Sequence, residues 1–198
     1  MINSRLIGVI LCGGESKRMG SDKGLLTTED KYWFIKNFEL LDTFFSKTVI
    51  SIRKSQLETY ASKNSNIEYI LDSNQSIEGP LKGILSVHEK YPDHDLFVLA
   101  CDMIQIKSEI IQDLIAKHES NTGFDFYLYK NQNQLETLCG IYTKEGLQKI
   151  QSKLETEPKP SFSIYKLIEN LRPFLLPISE ENQSYFENFN HSPYKNAM

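Results

Sequence analysis

The chain lacks any apolar run approaching the about 20 residues needed to cross a bilayer. Its opening, Met1-Ile2-Asn3-Ser4-Arg5, lacks the longer apolar core of a secretory signal. No membrane partner is therefore expected. Cysteine is scarce: Cys12, Cys101 and Cys139 are odd in number and far apart. They read as reduced thiols of a cytoplasmic protein rather than a disulfide framework. The histidines, His88, His94, His118 and His191, are equally scattered, so no zinc spacing arises. Positive charge is not in surplus. With 22 Lys and Arg against 26 Asp and Glu, the net charge is −4, which leaves no basic footprint for nucleic acid. Repeats, low-complexity tracts and flexible linkers are also missing. What remains is 198 residues, 40% hydrophobic and 24% charged, an ordinary balance for one globular domain with a sizeable core.

Glycine and cations are concentrated at one place. The apolar run Leu6-Ile7-Gly8-Val9-Ile10 empties into Leu11-Cys12-Gly13-Gly14-Glu15-Ser16-Lys17-Arg18-Met19-Gly20-Ser21-Asp22-Lys23-Gly24. Gly13 and Gly14 let a ligand approach the backbone. Lys17, Arg18 and Lys23 supply charge, Arg18 as a planar fork and Lys23 as a compact point charge. Such a loop can close backbone N–H groups and cations around a polyphosphate. It is neither a Walker A loop nor a dinucleotide fingerprint, because neither G-x-x-x-x-G-K-[ST] nor G-x-G-x-x-G fits. On residue types alone, a solvated βα turn remains the alternative.

Short apolar runs at Leu6–Leu11, Thr48–Ile52, Glu68–Leu71 and Leu96–Ala100 read as strands. Between and after them, 32–41, 56–63, 81–91 and 107–118 carry helical periodicity. Alternation of this kind predicts an α/β fold of three layers, a mainly parallel sheet with helices on both faces. Residues 124–129 and 138–142 read as a hairpin or sheet extension around a polar turn, and 161–170 as a helix with Ser161 as N-cap. Pro158 and Pro160 mark the break before that helix and Pro173 the break after it. A frayed end is expected beyond Glu180. In parallel sheets, ligands sit beyond the carboxyl ends of the strands. Asp72 and Asp102 follow two of those ends directly. Either could cap a turn, and Asp102 could equally serve as a Mg²⁺ ligand.

The run from Leu11 to Lys23 resembles L-A-G-G-x-S-x-R-M-G-x-D-K of the MobA-like nucleotidyltransferases, the molybdenum cofactor guanylyltransferases, with Cys12 where Ala is usual. Ala100-Cys101-Asp102-Met103 is similar to the A-C-D-[MT]-P segment that supplies that family's metal-binding Asp, with Ile104 in place of Pro. Gly79-Pro80-Leu81-Lys82-Gly83 matches G-P-L-x-G, which lies by the nucleotide base and ribose, and Asp72 matches the nucleotide-contacting Asp of that stretch. Arg53 stands where Asn is usual. Leu135–Tyr142 is similar to L-x-P-L-x-x-x-Y with Thr137 for Pro. Residues 186–193 resemble the F-x-N-x-N-T-P segment of the pterin side, with Asn188 and Asn190 matching and His191-Ser192 departing.

The resemblance implies a Rossmann-like nucleotidyltransferase fold in a single domain, 1–198, whose part from about 124 completes the pterin side. It implies Mg²⁺-dependent transfer of GMP from GTP to the phosphate of molybdopterin, forming the guanine dinucleotide cofactor and pyrophosphate. The implied catalytic groups are Arg18, Lys23 and Asp102, with Asp102 the metal ligand. Nucleotide contacts fall on Leu11, Cys12, Gly13, Gly14, Lys23, Arg53, Asp72, Gly79, Pro80, Leu81 and Asp102, and substrate contacts on Asn188 and Asn190. Molybdopterin-delivering and acceptor proteins are the implied partners. Two other readings stay open: a cytidylyl or sugar-phosphate nucleotidyltransferase, and a nucleotide-binding partner protein without catalysis.

Overall fold

The structure is a computed structural model that describes residues 4–14, 22–73, 76–132, 134–157, 161–187 and 189. The strands are β1 (Leu6–Leu11), β2 (Thr27–Thr28), β3 (Lys31–Tyr32), β4 (Thr48–Ile52), β5 (Glu68–Leu71), β6 (Asp95–Ala100), β7 (Phe126–Asn131), β8 (Gln134–Tyr142) and β9 (Pro173–Pro177). The helices are α1 (Trp33–Asp42), α2 (Leu57–Lys63), α3 (Pro80–Lys90), α4 (Ser108–Ser120), α5 (Lys144–Thr156) and α6 (Ile164–Ile168). Seven strands form one sheet in the order β5-β4-β1-β6-β8-β7-β9. β5, β4, β1 and β6 are parallel, with Leu11 opposite Ala100 and Ser51. β8 runs antiparallel to β6 and to β7, and β9 returns parallel to β7.

Period-2 alternation sorts the strand residues onto two cores. Leu6, Ile10 and Cys12 of the first strand and its exit, with Phe97 and Leu99 of β6, pack beneath Phe34 and Leu41 of α1, Tyr60 of α2 and Ile110, Ile111 and Leu114 of α4. Ile7, Val9 and Leu11, with Leu96 and Val98, pack against Leu81, Ile84 and Leu85 of α3, Leu147 and Ile150 of α5 and Leu167 of α6. The sheet is therefore covered on both faces, and strands buried on both sides read as unbroken apolar runs.

The second half departs from expectation in four places. α5 carries a helical face, Leu147 and Ile150, that is thin among its polar neighbours; Thr143 caps it by accepting from Gly146 N–H at 3.1 Å. Pro173 opens the edge strand β9 rather than a loop, a position where its missing N–H costs no ladder bond. Ser163, not Ser161, sits at the N-cap of α6; Ser161 Oγ accepts from the Ser163 N–H at 3.3 Å. Residues 180–186 form a 3₁₀ helix rather than a frayed end, because Phe186 is buried with its ring 4.9 Å from Tyr129. The expected break at Pro158 and Pro160 lies outside the described residues.

Candidate active site

With β1 flanked by β4 and β6, four parallel strands deliver their carboxyl ends to one edge. β1 opens into Cys12-Gly13-Gly14, β4 into Arg53, β5 into Asp72 and β6 into Cys101-Asp102. Backbone bonds bind these exits together: Cys12 N–H donates to Ser51 O at 2.9 Å, Asp72 N–H to Ile52 O at 2.9 Å and Cys101 N–H to Leu11 O at 3.2 Å. Asn37 of α1, fully buried, donates from Nδ2 to Ala100 O at 3.2 Å and to Cys101 O at 3.3 Å. The peptide that carries Asp102 is thus fixed from below.

Lys23 Nζ lies 2.7 Å from Asp102 Oδ2, with 25% and 13% of the two side chains exposed. The pair joins the far end of the glycine-rich loop to the exit of β6, 79 residues later. Phe189 N–H donates to Asp102 O at 3.1 Å, which brings Phe189 to the same spot. Asp72 is half-buried and accepts from Ser51 Oγ at 2.8 Å. Burial pushes its carboxyl upward, against the lowering influence of Ser51, Lys82 and Arg53. A Cβ on Gly13 would overlap Asp72 Oδ2, so only glycine allows this carboxylate so close to the loop.

The turn that carries Lys23 is held from one side. Asp22 Oδ1 accepts from Gly24 N–H at 3.1 Å and from Tyr60 Oη at 2.8 Å, while Oδ2 accepts from Gln56 Nε2 at 2.5 Å. Gln56 Nε2 also donates to Cys12 O at 3.1 Å. Its Oε1 accepts the Arg53 N–H at 2.7 Å and Arg53 Nε–H at 3.4 Å. The floor beneath is dry: burial pushes the Cys12 thiol well up, with the neighbouring Cys101 thiol adding to the shift.

Of the residues singled out in the sequence, Leu11, Cys12, Gly13, Gly14, Lys23, Arg53, Asp72 and Asp102 meet at this edge. Gly79, at φ 69°, is the N-cap of α3, Pro80 is its first residue and Leu81 is buried. Lys82 follows, close enough to bias Asp72. Arg18, with Lys17 and Gly20, and Asn188 and Asn190 lie outside the described residues. Sequence reasoning missed Gln56, Tyr60, Ser51 and Asn37. Only spacing from the strand ends hinted at the first and third; the other two sit on helices with nothing to separate them from core positions.

Among the described residues, no group of three or more His, Cys, Asp and Glu forms a cage for a metal ion. Nucleotide-bound Mg²⁺ asks for less: one or two carboxylates, completed by phosphate oxygens and water. Asp102 meets that description. Its carboxylate opens to the edge and already holds one cation, the Lys23 ammonium.

The model of the MobA-like NTP transferase domain matches residues 8–171. The chain belongs to this family. A molybdenum cofactor biosynthesis bifunctional protein of Synechocystis sp. is 32% identical over 72% of the chain, which spans 40% of that longer protein. A "Probable molybdenum cofactor guanylyltransferase" of Flavobacterium johnsoniae is 28% identical over 96% of the chain and 94% of its own length. The crystal structure of molybdopterin-guanine dinucleotide biosynthesis protein A from Archaeoglobus fulgidus superposes with a TM-score of 0.73 at 22% identity, covering 93% and 92% of the two chains. At that identity it shows the shared fold. The MobA-like domain is thus a nucleotidyltransferase domain, and among its described residues no helix is long and apolar enough to cross a membrane.

Proposed function

We propose that this protein transfers GMP from GTP to the terminal phosphate of molybdopterin, releasing pyrophosphate and forming the guanine dinucleotide cofactor. The observation that carries the reading is the meeting of Lys23 and Asp102 at 2.7 Å on the strand edge that also bears Gly13, Asp72 and the start of α3. A cation for the triphosphate and a carboxylate for a metal are what such a transfer requires in one place.

The attacking group is a phosphate, already anionic at neutral pH, so no strong general base is needed. Catalysis then rests on alignment and charge neutralisation. Lys23, with Arg18 of the same loop, holds phosphate oxygens and offsets the charge that develops as pyrophosphate leaves. Backbone N–H groups of Gly13 and Gly14 line the phosphate path. Asp72, Arg53 and Gly79–Leu81 receive the nucleoside. Asp102 would hold Mg²⁺, which when bound neutralises phosphate charge and aligns the phosphate oxygens. Phe189 at the Asp102 carbonyl supports a pterin side completed by the C-terminal part, including Asn188 and Asn190, so that 1–198 works as one unit. The buried free thiols Cys12, Cys101 and Cys139 support a reducing, cytoplasmic setting. Delivery and acceptor proteins for the pterin belong to the same reading.

The test is pyrophosphate release with loaded molybdopterin, with GTP, CTP, ATP and UTP in turn, with and without Mg²⁺. Release restricted to GTP and dependent on Mg²⁺ is the expected result. Equal or better release with CTP would transfer the reading to a cytidylyltransferase. Tight GTP binding with no turnover would leave a non-catalytic binding protein.

A further inference from the structure

Gln56 is 6% exposed and lies at a junction of three site segments: the exit of β1, the turn carrying Lys23, and the exit of β4. Each end of its carboxamide is used twice. Nε2 donates to Cys12 O and to Asp22 Oδ2; Oε1 accepts from Arg53 N–H and Arg53 Nε–H. The polarity admits one orientation. A flipped amide would set its oxygen against a carbonyl and a carboxylate, and its NH₂ against two donors. A residue with a donor at one end and an acceptor at the other is therefore required, and of the standard side chains of this length only Gln supplies two donor hydrogens and an acceptor without first taking up a proton.

The consequence concerns Arg53. A guanidinium on a long stem would otherwise sample many rotamers. Here Oε1 of Gln56 accepts from its Nε–H at 3.4 Å, and the positive charge is felt by Asp72. Through the other end of the same amide, Asp22 is held at 2.5 Å, and Asp22 in turn fixes the backbone of the turn that presents Lys23. Tyr60, which donates to Asp22 Oδ1, closes the network in a buried setting where hydrogen bonds are strong and unmade ones costly.

We propose that Gln56 is a positioning residue for nucleotide binding: its carboxamide links the Arg53 guanidinium on the nucleoside side to the Asp22–Lys23 turn on the phosphate side. This rests on the nucleotidyl-transfer reading above. It does not depend on which base is bound. Losing Gln56 frees Arg53 and loosens the turn that carries Lys23, so the apparent KM for the nucleoside triphosphate rises while the KM for the phosphate acceptor stays put. A purely structural role would instead lower the folded fraction and kcat, leaving both KM values unchanged.

The experiment compares wild type, Gln56→Ala and Gln56→Glu in steady-state kinetics against both substrates, with equilibrium titration of Mg²⁺–nucleoside triphosphate and a thermal melt for each. Gln56→Ala is expected to raise the nucleotide KM and Kd about tenfold, with the acceptor KM within twofold. Gln56→Glu places a carboxylate against Asp22 and the Cys12 carbonyl. Its nucleotide affinity should be poor at pH 8 and recover several-fold toward pH 6 as that carboxyl takes up a proton, a titration that wild type lacks. Should Gln56→Ala fail to fold, the pH profile of Gln56→Glu decides alone. Unchanged nucleotide affinity in a folded Gln56→Ala, or a Gln56→Glu profile parallel to wild type, overturns the inference while the transfer reading stands. Wild type that prefers another nucleotide overturns only the guanine choice, and the variants are then judged on that nucleotide. Wild type that binds no nucleoside triphosphate overturns both.

Discussion

Replacing Lys23 with Met keeps most of the aliphatic stem and removes the ammonium 2.7 Å from Asp102 Oδ2. Two limits bracket the stability cost. Exposed ion pairs contribute about 0.2–1 kcal/mol, whereas breaking a fully buried pair costs about 3–5 kcal/mol because one charge is left stranded. Asp102 retains 13% exposure and Lys23 25%, so water partly relieves the stranded carboxylate and the expected loss is about 1–2 kcal/mol. The reverse change, Asp102→Asn, should cost less. It leaves a lysine whose flexible stem can carry its charge to solvent, and the new amide oxygen still accepts from it. Activity does not share this asymmetry. On the proposed mechanism, Lys23→Met removes one preorganised cation from the transition state, an about 100-fold to 1,000-fold loss in kcat, and Asp102→Asn removes the proposed metal carboxylate with a loss at least as large. The Lys23 ammonium also competes with any cation at Asp102. Removing it should tighten Mn²⁺ binding in the nucleotide-free protein about tenfold, at 1.4 kcal/mol per decade, and Asp102→Asn should abolish that binding. Urea unfolding, pyrophosphate release and Mn²⁺ titration by electron paramagnetic resonance read the three quantities. If Lys23→Met has wild-type turnover, or Mn²⁺ binds Asp102→Asn and wild type alike, the pair is not the centre of the site.

Asp72→Asn should raise thermal stability while weakening nucleotide binding. Burial holds the Asp72 carboxyl above its usual range. The ionised form is therefore disfavoured by folding, a cost present above the folded pKa and relieved as pH falls below the unfolded one. A melt at pH 7.5 should show the gain and a melt near pH 4 a smaller one; destabilisation at both would refute the assignment. Gly13→Ala drives a methyl into Asp72 Oδ2 and should cost about 1–3 kcal/mol in overpacking, together with nucleotide affinity; an unaltered titration curve would show that the loop moves freely. Far from the site, Glu68 is hydrogen-bonded by Lys47 and Tyr91 and paired with Lys90. Burial pushes its carboxyl up, but these partners win and hold it at about 2. A depressed carboxyl stabilises above its unfolded pKa and loses that contribution as pH falls through the folded one. With both lysines about half exposed, the term is on the order of 1 kcal/mol. The gap between wild type and Glu68→Gln in urea should be present at pH 7 and gone near pH 2.

The first half was legible because its strands are short apolar runs, β1 and β4 being buried on both faces. Leu6–Leu11, Thr48–Ile52 and Glu68–Leu71 are short apolar runs with no competing helical period, and their ends matched to the residue. Asp72 and Asp102 were found because a strand's end fixes where the next side chain goes. β9 was not legible: Pro173 reads as a breaker unless its strand lies at an edge, and an edge is a property of the whole sheet. α5 was missed because its apolar face is confined to a few positions among polar residues. Gln56 shows a third kind of failure. A buried amide has no periodicity or motif of its own, and its importance comes from Cys12, Asp22 and Arg53 converging on it from three segments.

That convergence changes how the departures from the family pattern weigh against catalysis. Arg53 in place of Asn replaces a group that donates and accepts with one that only donates. An isolated substitution of that kind would forfeit an acceptor at the nucleoside and leave a mobile charge. Here Gln56 Oε1, one turn later, accepts from Arg53 itself and immobilises the new donor. Cys12 in place of Ala is likewise absorbed: the thiol sits in the dry core beneath α1 and α2, partnered by Tyr60 and Cys101, and the Cys12 carbonyl that accepts from Gln56 is one that any residue would supply. Decay of a catalytic site leaves unmatched donors and acceptors behind. At Arg53 and Cys12 the structure shows matched ones, while Lys23 and Asp102 stay paired at the strand edge, and that favours a working transferase over a binding protein that has lost its chemistry.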